Sequence, residues 1–193
     1  LYGIEVNDYV HELAQATVWI GYLQWLHDNG YGFVAEPVLK PLSNIKRMDA
    51  ILAYDAEGKP VEPVWPAAEV IVGNPPFLGD KKMIAELGEQ YVLSVRSLYH
   101  DKVPGGADLV TYWFWRSWEQ IVSGASKRAG LLATQSIRVG LNRRVLERIK
   151  KDGDIFFAES DRPWILEGAA VRVSMVGFDQ GYENTKVLDG EPV

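Results

Sequence analysis

Val70-Ile71-Val72-Gly73-Asn74-Pro75-Pro76-Phe77 is the stretch on which the reading of this chain turns. Three β-branched residues predict a short strand over 69–72. Gly73 ends it, and Asn74 to Phe77 come next. Ligands in open α/β sheets bind outside the carboxyl ends of strands. This loop offers acceptors there. The Asn74 side-chain carbonyl accepts one hydrogen of a planar NH₂ group, and the Pro75 backbone carbonyl accepts the other. Neither proline donates a backbone N–H. Phe77 adds an apolar ring on which a flat heterocycle stacks. Four residues are also compatible with a plain rigid turn, because Asn-Pro initiates turns and Pro-Pro stiffens loops.

On both sides of this loop, strands alternate with helices. Leu1–Val6 reads as a strand, and residues 8–28 as a helix with Asp8 at its start. Leu13, Ala16, Ile20 and Leu23 give that helix an apolar face, and Asn29-Gly30 stops it. A short strand comes next around Asn44–Arg47, then a polar, proline-bearing loop over 55–66. Helices are predicted at 80–98 and 107–123, with Pro104-Gly105-Gly106 between them. Ala129–Thr134 is a third apolar strand, and 139–151 a basic helix. Ile155–Glu159 and Val171–Phe178 read as an antiparallel pair at the sheet edge, joined by a loop holding Pro163, Trp164 and Gly168. Residues after Asp179 read as a frayed tail. The alternation indicates a parallel sheet with helices on both faces.

The 193 residues fit one domain, and 47% apolar content is ordinary for a globular chain. No run has the length of a membrane span, and no leader is visible. With no cysteine, disulfide-linked partners and thiolate metal sites are excluded. The histidines His11, His27 and His100 match no ligand spacing, so no metal is assigned. A net charge of −6 makes the chain a poor stand-alone DNA binder. Contact with DNA has to use a local basic patch or another part of a larger protein. These features suit a cytoplasmic protein.

Further stretches are Gly3-Ile4-Glu5-Val6-Asn7, Gly105-Gly106-Ala107-Asp108-Leu109, Thr134-Gln135-Ser136-Ile137-Arg138 and Ser160-Asp161-Arg162-Pro163-Trp164. Together with Gly73 to Gly79, they resemble class I methyltransferases of the DNA adenine-N6 type. The resemblance is closest to the large MmeI-like, single-chain restriction–modification enzymes. It implies a Rossmann-like sheet, mostly parallel with an antiparallel last strand. It implies S-adenosylmethionine as cofactor and double-stranded DNA as partner through the intact enzyme. The glycine-rich loop of such enzymes is not among these residues. The expectation is therefore a partial catalytic domain over 1–179, incomplete at its N-terminus. Residues 180–193 are then a polar tail or linker toward a target-recognition domain.

The resemblance implies residue roles. Glu5, at a strand end, would accept hydrogen bonds from the cofactor ribose hydroxyls. Asp49 would take the cofactor adenine amine, or equally cap the turn at Ala50. Asn74, Pro75 and Phe77 form the target site. Trp164 would close the other face of a flipped base, against the alternative of an ordinary packed tryptophan. Arg138 would meet a DNA phosphate, while Arg143, Arg144 and Arg148 read as a solvated helix face. Tyr112 to Trp115 read as core, and Asp108 as a helix cap. Two other functions compete. One is amino-group methylation of a protein glutamine or an RNA guanine, whose targets are also planar NH₂ groups. The other is a truncated, non-catalytic scaffold.

Overall fold

The computed structural model describes residues 1–32, 41–166 and 169–193. The chain divides into two compact units, Leu1–Ala50 and Ile51–Val193.

In the first unit, strand β1 (Gly3–Glu5) leads into helix α1 (Asp8–Asp28), and strand β2 (Ile45–Arg47) pairs with β1 in parallel. Asn7, not Asp8, caps α1. Its side-chain oxygen accepts the Val10 N–H at 3.0 Å, while Asp8 pairs with Arg47. Polar side chains fasten the helix to the residues around β2. Gln15 is buried and accepts the Leu42 N–H at 2.6 Å, and His11 meets the Ile45 carbonyl at 3.0 Å. The expected apolar face is not buried in this unit: Leu13 and Ile20 are both exposed.

The second unit begins with a small hairpin, β3 (Ala53–Tyr54) and β4 (Pro60–Val61), whose second strand falls within the 55–66 stretch read as loop. Strand β5 (Val70–Gly73) comes after it. Helices α2 (Asp80–Leu87) and α3 (Glu89–Leu98) replace the single helix expected over 80–98. Gly88 breaks it with φ 85°, a left-handed conformation that favours glycine. Helix α4 (Val110–Val122), strand β6 (Arg128–Thr134), a 3-10 turn (Gln135–Arg138) and helix α5 (Gly140–Asp152) come next. Strands β7 (Asp154–Leu166), β8 (Ala169–Asp179), β9 (Val187–Leu188) and β10 (Glu191–Pro192) complete the unit.

The main sheet has the order β10-β9-β7-β8-β6-β5. Its β5–β6 and β7–β9 ladders are parallel, and β6–β8, β7–β8 and β9–β10 are antiparallel. It is a mixed sheet rather than a mostly parallel one. The reason is the long β7–β8 hairpin, which lies inside the sheet instead of at its edge. The β1–β2 pair forms a separate sheet, so the expectation of one sheet carrying all the strands does not hold among the described residues. The stretch read as a tail adds β9 to β7. Pro163 and Trp164 lie within β7, not in a loop, and Gly168 is outside the described residues.

The core lies where α4 and α5 pack on the sheet. Tyr112, Phe114, Trp118 and Ile121 of α4 are buried, as the aromatic run predicts. Phe114 stacks on Phe178 of β8 with centroids 5.8 Å apart. Arg116, on the same helix, is also buried. It donates to Glu62 at 2.5 Å, Glu119 at 2.8 Å and the Pro63 carbonyl at 2.7 Å, and lies over the Trp65 ring. Lys102 bridges the same two carboxylates. This cluster straps the 60–65 segment to α4.

Candidate active site

In the second unit the site is built on the carboxyl end of β5. Gly73 pairs with Leu131 of β6, and the chain leaves the sheet at Asn74. Asn74 is exposed, Pro75 is buried and Phe77 is half-buried. The burial pattern suits the chemistry: a rigid proline sits in the packing, and Asn74 is left exposed. No hydrogen bond occupies the Asn74 side chain among the described residues.

The downstream end of this loop is held by two residues at the entrance to α4. The Leu109 N–H donates to the Leu78 carbonyl at 2.9 Å. The Asp108 carboxylate accepts the Asp80 N–H at 3.1 Å. Gly79, the cap position of α2, has no side chain, and Asp108 satisfies the first N–H of the helix, one of those that a helix start leaves without an intrahelical partner. Its other oxygen accepts Ser136 Oγ at 2.6 Å and Asn142 Nδ2 at 2.7 Å. The Asp108 N–H in turn donates to Asn142 Oδ1 at 2.8 Å. Asp108 is thus not the side-chain cap of its own helix. It ties α2 to the end of β6 and to α5.

Ser136, Gln135 and Arg138 come directly after β6, on the same edge as Asn74, because β5 and β6 are parallel. The hairpin overhangs that edge. Thr134 ends β6 opposite Val173, Val173 faces Arg162, and Trp164 lies two residues further along β7 opposite Val171. Trp164 is 38% exposed. It shares the edge with Asn74 but stands three strands away in the order, roughly 14 Å at the usual strand spacing. Asp161 pins this overhang. It accepts hydrogen bonds from Arg172 at 2.6 Å and from Gln135. The Arg172 guanidinium holds the Asp161 carboxyl below its usual range, with Gln135 and the Arg138 charge acting the same way. Arg138 is exposed, and its charge also helps lower Asp189, whose main partner is the Ser160 N–H. Arg138 therefore works beside two carboxylates. Arg143 pairs with Glu147, and Arg148 holds the carbonyls of Asp101 and Lys102, as a helix-face reading expects.

In the first unit, Glu5 ends β1 and Asp49 lies two residues beyond the end of β2. The Met48 N–H donates to the Glu5 carbonyl at 3.0 Å, so both acidic residues sit at the carboxyl end of one parallel pair. Glu5 Oε1 accepts the Asn7 N–H at 2.7 Å, which orients the carboxylate. Two carboxylates at neighbouring strand ends fit a ligand that presents hydroxyl and amine donors.

Asp108, Asn142, Gln135 and Asp161 were not read as site-building residues. Three of them lie in stretches that carry the resemblance, but their partners are far away in sequence and no spacing reveals them. Among the described residues no His, Cys, Asp or Glu group can hold a metal, and no helix is long and apolar enough to cross a membrane.

Residues 1–189 match the family described as MmeI, DNA-methyltransferase domain. The DNA methyltransferase A of Bacillus subtilis (strain 168) is 30% identical over 96% of the chain, which spans 21% of that protein. The structure of the Type IIL restriction–modification enzyme MmeI in complex with DNA superposes with a TM-score of 0.74 at 23% identity. That superposition covers 100% of this chain and 27% of the other. The chain spans between about a fifth and just over a quarter of the length of these relatives. With the Asn-Pro-Pro-Phe loop at its strand end and the match running over residues 1–189, the chain belongs to the MmeI DNA-methyltransferase domain family.

Proposed function

We propose that this domain takes part in transferring a methyl group from S-adenosylmethionine to N6 of an adenine flipped out of double-stranded DNA, in a cytoplasmic restriction–modification enzyme. The observation that carries the reading is the Asn74 amide, exposed at the carboxyl end of β5 beside the Pro75 carbonyl and the half-buried Phe77. Adenine N6 is a weak nucleophile because its lone pair is delocalised into the ring. Two carbonyl acceptors draw the amine toward tetrahedral geometry. Their hold strengthens as positive charge grows on nitrogen, which is stabilisation by preorganised acceptors. Phe77 stacks on the flipped base, a contact worth roughly 1–3 kcal/mol. Trp164 approaches from the overhanging hairpin, and Arg138 meets a phosphate.

The pair of acceptors in the first unit suits the cofactor. Glu5 would hold its ribose hydroxyls and Asp49 its adenine amine. When bound, S-adenosylmethionine supplies an electrophilic methyl group.

The test is single-turnover methylation of an adenine-containing duplex by the protein in its full native length. Asn74→Ala is expected to lower the rate roughly 10²–10³-fold with cofactor binding unchanged, because the lost contact matters mainly in the transition state. A near-normal rate refutes the acceptor mechanism.

A further inference from the structure

We propose that Asp108 is a positioning residue, holding the Asn74–Phe77 loop in register with the end of β6; this rests on the function proposed above. A turn that must place two acceptors on one amine needs both of its ends fixed. Its upstream end is fixed by the β5–β6 ladder. The downstream end has no such ladder, and α2 begins at Asp80 behind a glycine with no capping side chain. The Asp108 carboxylate reaches the first residue of α2 from 28 residues away and accepts its N–H.

The pattern of donors shows more than helix capping. One carboxylate oxygen takes the Asp80 N–H, and the other takes Ser136 Oγ and Asn142 Nδ2. Asn142 is buried and returns an acceptor to the Asp108 N–H, so the carboxylate cannot swing. Thr134 Oγ1 lies 2.7 Å from Ser136 Oγ and extends the chain to the last residue of β6. A cap alone would need one acceptor. Asp108 instead uses both oxygens to join the loop behind Phe77 to the neighbouring strand end and to α5. Every donor around it needs an acceptor, which a carboxylate provides and an amide only half provides.

Asp108→Asn separates these functions. An amide keeps its oxygen toward the two donors of Ser136 and Asn142 and turns its NH₂ toward the Asp80 N–H. The Asp80 contact is then lost, leaving the Leu109 N–H to Leu78 carbonyl bond as the remaining downstream hold, while the rest of the network persists. In the full-length protein the methylation rate constant is expected to fall about 10- to 100-fold, the scale of a small misplacement. Affinities for cofactor and duplex should stay within about twofold. Amide hydrogen exchange over residues 74–80, measured without ligands, should accelerate.

Adding Gly79→Ser gives α2 a local cap through the Lys81 or Lys82 N–H and does not replace the Asp80 contact; a Cβ there meets only Asp108 Oδ1, at 3.6 Å. Melting temperature should recover in the double variant and the rate should not. Recovery of both means that Asp108 only caps α2, which overturns the proposal, as does an unchanged rate in Asp108→Asn. If the unsubstituted protein does not methylate adenine, the functional reading fails. Hydrogen exchange then decides this proposal alone, and unchanged exchange over 74–80 refutes it.

Discussion

Gly153→Ala is the sharpest test of how α5 is seated. Gly153 closes α5 through its N–H to the Ile149 carbonyl at 2.9 Å, and β7 starts at the next residue. Its φ is −146°, outside the left-handed region. Space requires the glycine. A Cβ would stand 2.4 Å from the Asp179 carbonyl oxygen, and 2.4 and 2.7 Å from two ring carbons of Trp118. Ordinary contacts begin near ~3.5 Å, so each neighbour has to retreat by about 1 Å. Neither yields easily: Asp179 ends β8 between two ladders, and Trp118 is buried in α4. Overpacking costs roughly 1–3 kcal/mol and occasionally more. With two stiff neighbours we expect about 3 kcal/mol, or roughly 6–12 °C in melting temperature for a chain of this size. Thermal unfolding followed by circular dichroism reads this directly. Gly105→Ala is the control, because nothing lies within 4 Å of its Cβ and its φ is not left-handed. Trp118→Leu in the Gly153→Ala background should cost less than the sum of the two single changes. Equal melting temperatures for Gly153→Ala and Gly105→Ala would show the steric reasoning to be wrong.

Arg116→Met leaves Glu62 and Glu119 with Lys102 alone. Both carboxylates are part-exposed and keep Lys102, so the cost should fall below the ~3–5 kcal/mol of breaking a fully buried pair, and limited proteolysis should cut within residues 55–66; an uncut segment counts against the strap. Asp154 is lowered to about 2, chiefly by Lys150 and then by Lys186. A depressed carboxyl stabilises above its unfolded value of 3.8 and loses that contribution as pH falls through 2. Denaturant midpoints of the native protein should therefore drop between about pH 4 and 2, more steeply than those of Asp154→Asn; parallel curves exclude the pairing. Phe77→Ala should weaken retention of a flipped base by roughly 1–3 kcal/mol and be milder than Asn74→Ala in rate. The fluorescence of 2-aminopurine at the target position reports it, and an unchanged signal removes Phe77 from the stack.

Elements with a strong local signal were legible. The β-branched run of β5, the apolar run of β6, the aromatic face of α4 and the basic helix α5 all lie within about three residues of their predicted bounds. The placement of Asn74 at a strand end came from them. The pairing of strands was not legible. Nothing local in Val171–Phe178 says that β8 inserts between β6 and β7, because both neighbours of a buried strand offer the same hydrogen bonds. Trp164 looked like loop because it comes after a proline, yet Pro163 is accommodated in β7 where the ribbon runs beyond β6. Gly88 broke a helix whose apolar spacing continues on both sides. The Asp108 network is the deepest omission. Its partners are 28 and 34 residues away, and an Asp before a helix carries the same local signature whether it caps that helix or another.

The position of β8 also sets the timetable of synthesis. Strand β6 finds its first partner, β5, as soon as it leaves the ribosome. Its second is residues 173–179, and β7, made before β8, can join only through it. Until Asp179 has emerged, the nascent chain carries an unpaired β6 edge and an unanchored β7. The ribbon bearing Trp164 therefore docks late. A translational pause once Asp179 has left the ribosome favours orderly closure, and a pause with β6 emerged and β8 still inside prolongs the interval in which that edge is open to the wrong partner.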